Sequence, residues 1–143
     1  MSRVLKGDQL PRINALVDLY NAVSIRHAVP LGGEDADKLD GTLRLTVASG
    51  EETFDPRGDG AEIENPAEGE IIWRDDAGVT CRRWNWRQGR RTQISEGTKN
   101  AFFVFDRLDG LTPTELHSAA AELASLLKDR SPACEVETLE FAS

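Results

Sequence analysis

The strongest constraint on what this chain can fold into lies between residues 70 and 84. Glu70-Ile71-Ile72-Trp73-Arg74 and Val79-Thr80-Cys81-Arg82-Arg83-Trp84 flank Asp75-Asp76-Ala77-Gly78, a turn-forming run set between two β-prone runs. The pattern predicts a β-hairpin, because a short polar, glycine-bearing loop reverses the chain while the flanking runs pair. Further strands should join it. Leu43, Leu45 and Val47 alternate with Thr42, Arg44 and Thr46, the two-residue period of a strand with one buried face. Ala101-Phe102-Phe103-Val104-Phe105 is short and continuously apolar, which predicts a mid-sheet strand covered on both faces. The tail from Cys134 to Phe141 alternates weakly and is expected as an edge strand.

Two helices complete the elements. From Arg12 to Val23, the residues Ile13, Leu16, Val17, Tyr20 and Val23 recur at helical spacing, and Pro11 suits a first turn. Thr112-Pro113-Thr114-Glu115 combines a capping hydroxyl, a proline at the first helical position and a glutamate three residues after the cap. A helix over about 113–128 should follow, burying Leu116, Ala119, Ala120, Leu123, Leu126 and Leu127. Residues 24–40 contain Pro30-Leu31-Gly32-Gly33 and the acids Glu34, Asp35, Asp37 and Asp40, which predicts a structured loop with a solvated acidic face. Residues 49–66 are expected as a long, mobile loop with a short extended piece near Thr53 and Phe54. The expected fold class is α+β, with a mixed, sandwich-like sheet and few helices. At 143 residues and 39% hydrophobic content the chain supplies one modest core, so residues 1–143 are expected as a single domain.

Several function classes recede. No apolar run approaches the ~20 residues needed to cross a bilayer, and the first residues carry no apolar stretch suited to secretion. A cytoplasmic location without a membrane partner is expected. Cys81 and Cys134 are too few and too far apart for a disulfide framework or a cysteine-based zinc site and are expected as unpaired thiols. His27 and His117 lack partners at ligand spacing, and the acids of residues 34–40 lack the regular ligand spacing of a calcium loop, so neither a metal nor a cofactor is expected. No Gly-x-Ser-x-Gly elbow and no glycine-rich phosphate loop are present. A formal charge of −8 and a pI near 4.8 oppose non-specific coating of nucleic acid, so any RNA contact must be local.

One segment departs from that acidity. Residues 81–91 hold Arg82, Arg83, Arg87, Arg90 and Arg91, five of 17 basic residues, and no acid. Guanidinium groups grip phosphates and stack on bases, and Trp84 and Trp86 offer flat faces to a nucleobase. Asn85 and Gln88 add amides that donate and accept. The same residues also admit a structural reading, with Trp84 in the core and the arginines paired to some of the 25 acids.

Read together, Arg12 to Val23, Pro30, Asp35 and the Leu43 to Val47 strand resemble the opening of the B3/B4 domain found in the β subunit of bacterial phenylalanyl-tRNA synthetase. Asp18, Asn21 and the downstream proline and aspartate are the family's marks. Glu70-Ile71, Cys81 to Gln88, Arg91-Thr92 and Thr98-Lys99-Asn100 resemble its second half, in the version carried by stand-alone members. The resemblance covers about residues 4–106. It implies an aminoacyl-tRNA partner and hydrolysis of a mischarged aminoacyl-tRNA in trans. It assigns Arg12, Asn14, Asn21, Asn85 and Thr98 to the substrate, and Arg82, Arg83, Trp84, Trp86, Arg87, Arg90 and Arg91 to RNA. Two alternatives stay open: a non-catalytic RNA-binding or adaptor module, and a protein- or metabolite-binding domain. Synthetase domains commonly carry a histidine two residues after the motif proline, where this chain has Gly32. Stand-alone members usually carry several dozen residues ahead of Leu5-Lys6-Gly7-Asp8, so the chain is expected as a shortened form whose uncovered edge or apolar surface favours a homo-oligomer.

Overall fold

The structure, a computed structural model, describes residues 14–141. The chain divides into two compact units, Met1–Leu31 with Val104–Ser143, and Gly32–Phe103.

The first unit is built on two helices. Helix α1 spans Ala15–His27 and helix α2 spans Pro113–Arg130. The expected proline start of α1 lies outside the described residues; Asn14 caps the helix, its side chain accepting from Val17 N at 2.9 Å. The helix runs one turn further than its apolar stripe predicts, ending at Ala28 in the left-handed region with φ 52°. Val17 and Val23 of α1, Val29, and Ala119 and Leu123 of α2 are buried. At the rim, Arg26 and His27 both bond Glu122, His27 Nε2 at 2.5 Å. Helix α2 begins as expected: Thr112 Oγ1 accepts from Glu115 N at 3.2 Å and Glu115 returns a bond to Thr112 N at 2.8 Å.

The second unit is built on a four-stranded antiparallel sheet in the order β2-β3-β4-β5. Its strands are Arg44–Val47, Ile71–Arg74, Val79–Arg82 and Arg87–Gln88. The predicted hairpin is β3-β4, with a register shift at Trp73/Arg74. Its turn closes around Asp75, whose carboxylate accepts from the backbone of Asp40, Ala77 and Gly78. Phe54, fully buried, bridges to Glu64 and Val79 and packs with Ala48, Ile72 and Val79. The polar stretch of residues 49–66 is thereby tied to the sheet.

Three elements differ from expectation. Strand β1, Leu31–Asp35, replaces the predicted loop and pairs with β6, Ala101–Phe105, in a separate two-stranded sheet. Ala36 N donates to Asn100 O and Asp106 N to Pro30 O, so the pair is antiparallel. A strand accepts Gly33 because its missing Cβ is the space taken by Phe103 and Ile94. Strand β6 is consequently one of a pair, half-buried along its length, and not mid-sheet. Strand β2 forms, but its apolar alternation faces solvent, with Leu45 45% and Val47 59% exposed. The tail 134–141 forms no strand, and Phe141 is exposed.

Candidate nucleic-acid interface

The hairpin β4-β5 brings the arginine-rich segment together and sorts it into two populations. Register pairs Arg82 with Arg87, so both side chains leave the same face of the sheet. On that face they meet carboxylates. Arg82 donates Nε and Nη2 to Glu70 at 2.9 and 2.8 Å and Nη1 to Glu64 at 2.7 Å. Arg87 donates Nη1 and Nη2 to the two oxygens of Glu64 at 2.5 and 2.6 Å. Both guanidiniums lie over the Phe54 ring, 5.8 and 5.4 Å from its centroid. Glu70 also accepts from the backbone of Arg83 and Ala67. The Arg82 fork, working with these backbone donors, holds the Glu70 carboxyl well below its usual range, at about 2.

Arg91 is likewise engaged. It forks onto Asp75 at 2.8 and 2.7 Å and reaches Lys38 O. Burial would push the Asp75 carboxyl up, but Arg91 and the turn amides outweigh it and hold the group below the ordinary aspartate value.

The remaining cations and both exposed tryptophans point outward. Arg83 and Arg90 are exposed and make no side-chain hydrogen bond or ion pair among the described residues. Trp84 is 45% and Trp86 78% exposed, so Trp84 is not a core residue. The turn carrying them is unusual: Arg83 and Trp84 hold φ of 50° and 65°, a region that favours glycine. Trp84 N donates to Ile71 O, and Trp86 N to Arg83 O.

The residues assigned to substrate fall in both units. Asn14 and Asn21 belong to the helical unit, Asn14 as the α1 cap and Asn21 half-buried along the helix. Arg12 lies outside the described residues. Asn85 approaches strand β1, its Oδ1 3.2 Å from where a Cβ on Gly32 would stand, and Gln88 Nε2 donates to Gly33 O at 3.1 Å. Thr98 bonds Asp35 Oδ2 at 2.7 Å and accepts from Ser95 N, which gives it a role in holding its loop to β1.

The acidic stretch 34–40 is only in part the solvated face its composition suggests, with Asp37 and Asp40 exposed. Glu34 and Asp35 are buried, Asp35 caps the short 3-10 turn Ala36–Lys38, and Asn100 bonds Asp37. Glu34 Oε1 accepts from Thr80 Oγ1 at 3.2 Å, while Glu34 Oε2 and Thr92 Oγ1 make no hydrogen bond of regular geometry. Burial raises the Glu34 carboxyl above its usual value, and the Thr92 and Thr80 hydroxyls with Arg91 offset only part of that rise.

Sequence reasoning passed over Glu64 and read Phe54 only as part of a short extended piece. The signal was parity: in a strand buried on both faces, an arginine at position 82 requires a carboxylate on the facing surface. Among the described residues no three His, Cys, Asp or Glu side chains converge to hold a metal ion, and no helix is long and apolar enough to cross a membrane.

Taken together, these features define an α+β fold with a carboxylate-braced hairpin that presents an aromatic, basic turn. Residues 1–131 match the B3/4 domain, and the chain belongs to that family, which is consistent with tRNA-related binding. No curated protein matches the sequence.

Proposed function

We propose that this chain binds aminoacyl-tRNA and, acting in trans in the cytoplasm, hydrolyses the ester of a mischarged one. The observation that carries the reading is the side chain of Asn85, set against Gly32 from within the turn that bears two tryptophans. Gly32 stands where synthetase domains of this family commonly carry histidine. A side chain at position 32 would crowd Asn85, so an amide occupies the space such a side chain would enter.

The chemistry asks little of the protein. An aminoacyl ester is already activated: water adds to the carbonyl carbon, the bond to the ribose oxygen breaks, and free amino acid and a 3′-hydroxyl result. Binding must hold the RNA end, seat the amino acid and position the water, with donors facing the developing oxyanion. Asn85 supplies an amide able to orient water, and Trp84, Trp86, Arg83 and Arg90 supply faces and charge for the RNA. The exposed apolar side chains on edge strand β2 support self-association.

The test is a panel of tRNAs charged with labelled non-cognate amino acids. Release faster than in buffer for at least one member, reduced at least tenfold by Asn85→Ala, is the expected result. Gly32 itself favours a second reading, a non-catalytic adaptor that keeps the fold, because it brings no imidazole to that position. Saturable tRNA binding without accelerated release across the panel would establish the adaptor, and failure to bind any tRNA would favour a protein- or metabolite-binding domain.

A further inference from the structure

We infer that the Arg83 to Trp86 turn is a stacking platform for an unpaired polynucleotide strand, gripped by two aromatic faces and Arg83, with Arg90 further along the hairpin as a second phosphate contact, and blind to duplex. The inference rests on the tRNA reading and narrows it to single-stranded segments.

The turn is poorly chosen for stability alone. Two consecutive left-handed positions in a tight hairpin favour Asn-Gly, whereas this chain places Arg83 and Trp84 there. The conformation is held by its neighbours: Glu70 accepts from Arg83 N at 3.1 Å, and Ile71 O accepts from Trp84 N at 2.9 Å. Glu70 is in turn fixed by the Arg82 fork. A brace of this kind holds a strained turn in place, and strain maintained against preference marks functional positions. What it displays is two tryptophans, Trp84 and Trp86.

Charge sets the mode of binding. Arg82, Arg87 and Arg91 are spent on carboxylates, which leaves Arg83 and Arg90 as the exposed cations of the segment. The molecule carries −8 overall, so long-range attraction does not gather polynucleotide. Affinity must come from stacking, which is open only to bases free of a partner strand. An anionic membrane fits less well, because the tip alternates tryptophan with arginine and asparagine and carries no aliphatic residue to enter the acyl region.

The experiment titrates labelled RNA hairpins into the full chain by fluorescence anisotropy. One hairpin carries four unpaired 3′ nucleotides, a second is blunt, and a third arm uses vesicles of phosphatidylcholine with phosphatidylserine. The overhang hairpin is expected to bind at least tenfold more tightly than the blunt one, with no vesicle binding. Trp86→Ala should weaken the overhang complex about 5- to 150-fold, the range of one lost stacking contact, and Trp86→Phe should restore most of it. Trp84→Gly, which suits the local φ, should weaken it comparably without loss of fold. With two phosphate contacts, a tenfold rise in salt should lower affinity about 25-fold; with all five arginines engaged the loss would be on the order of 3000-fold. Equal affinity for blunt and overhang hairpins, an unaffected Trp86→Ala, or the steep salt response overturns the platform and leaves the tRNA reading standing with its contact elsewhere. Failure to bind any RNA overturns both, and vesicle binding lost in Trp86→Ala reassigns the turn to membranes.

Discussion

Arg82 gives every edge of its guanidinium to carboxylates, two donors to Glu70 and one to Glu64. Removing it strands a largely buried Glu70, and breaking such a pair costs about 3 kcal/mol. Arg82→Ala should therefore lower the urea unfolding midpoint strongly, whereas the exposed Arg83→Ala should change stability by no more than about 0.5 kcal/mol. A lysine at 82 offers no fork and should recover little. The basic run alone suggests that Arg82, Arg83 and Arg87 are equivalent and dispensable to the fold; pairing makes them unequal. Glu34 works in the opposite sense. Its carboxyl is raised by burial, so its contribution is fully present below the unfolded value of 4.5 and is lost as pH rises through the folded value. Glu34→Gln keeps the shape without the charge, and its stability should not decline with rising pH as the parent's does. Urea midpoints of both proteins across pH 5 to 9 check this; parallel curves would rule it out.

Among the elements, α2 is set by its first four residues. The reciprocal bonds of Thr112 and Glu115 satisfy backbone donors that an uncapped helix leaves open, so Thr112→Ala should cost about 1 kcal/mol by thermal or urea unfolding. That cap was legible in sequence because its chemistry is local. So was the β3-β4 hairpin, whose turn residues and flanking runs are contiguous. Strand β1 was not, because what makes Gly33 a strand residue is the approach of Phe103 and Ile94, distant in sequence. The alternation of β2 gave the strand correctly and its burial wrongly: period reports which side chains share a face, not whether anything covers it. At the candidate site, composition revealed where the cations and tryptophans are concentrated. Only the register of Arg82 with Arg87, and the return of residues 54–70 beneath them, reveals which cations remain free.

For the molecule as a whole, carboxylate pairing decides the response to acid. Glu70 is held at about 2, and Asp35, Glu64 and Asp75 are also held below their ordinary values, by Thr98, by Arg87 and, against burial, by Arg91 respectively. A carboxyl depressed on folding contributes stability above its unfolded pKa and loses it as pH falls through the folded one. The contribution of these four carboxyls should thus hold from neutral pH to about 4.5 and fall between there and about 2, with Glu70 accounting for on the order of 2 kcal/mol after solvent screening. The fall begins just below the point of zero net charge near 4.8, where repulsion between copies is weakest, so dilute protein is needed to separate unfolding from aggregation. Arg82→Ala supplies the control: without the fork the Glu70 carboxyl rises from about 2, and the gap between variant and parent should shrink as pH drops from 4.5 toward 2. Unfolding midpoints at pH 7, 5, 4 and 3 measure that gap, and one as wide at pH 3 as at pH 7 would show that the pairing does not govern the acid limb.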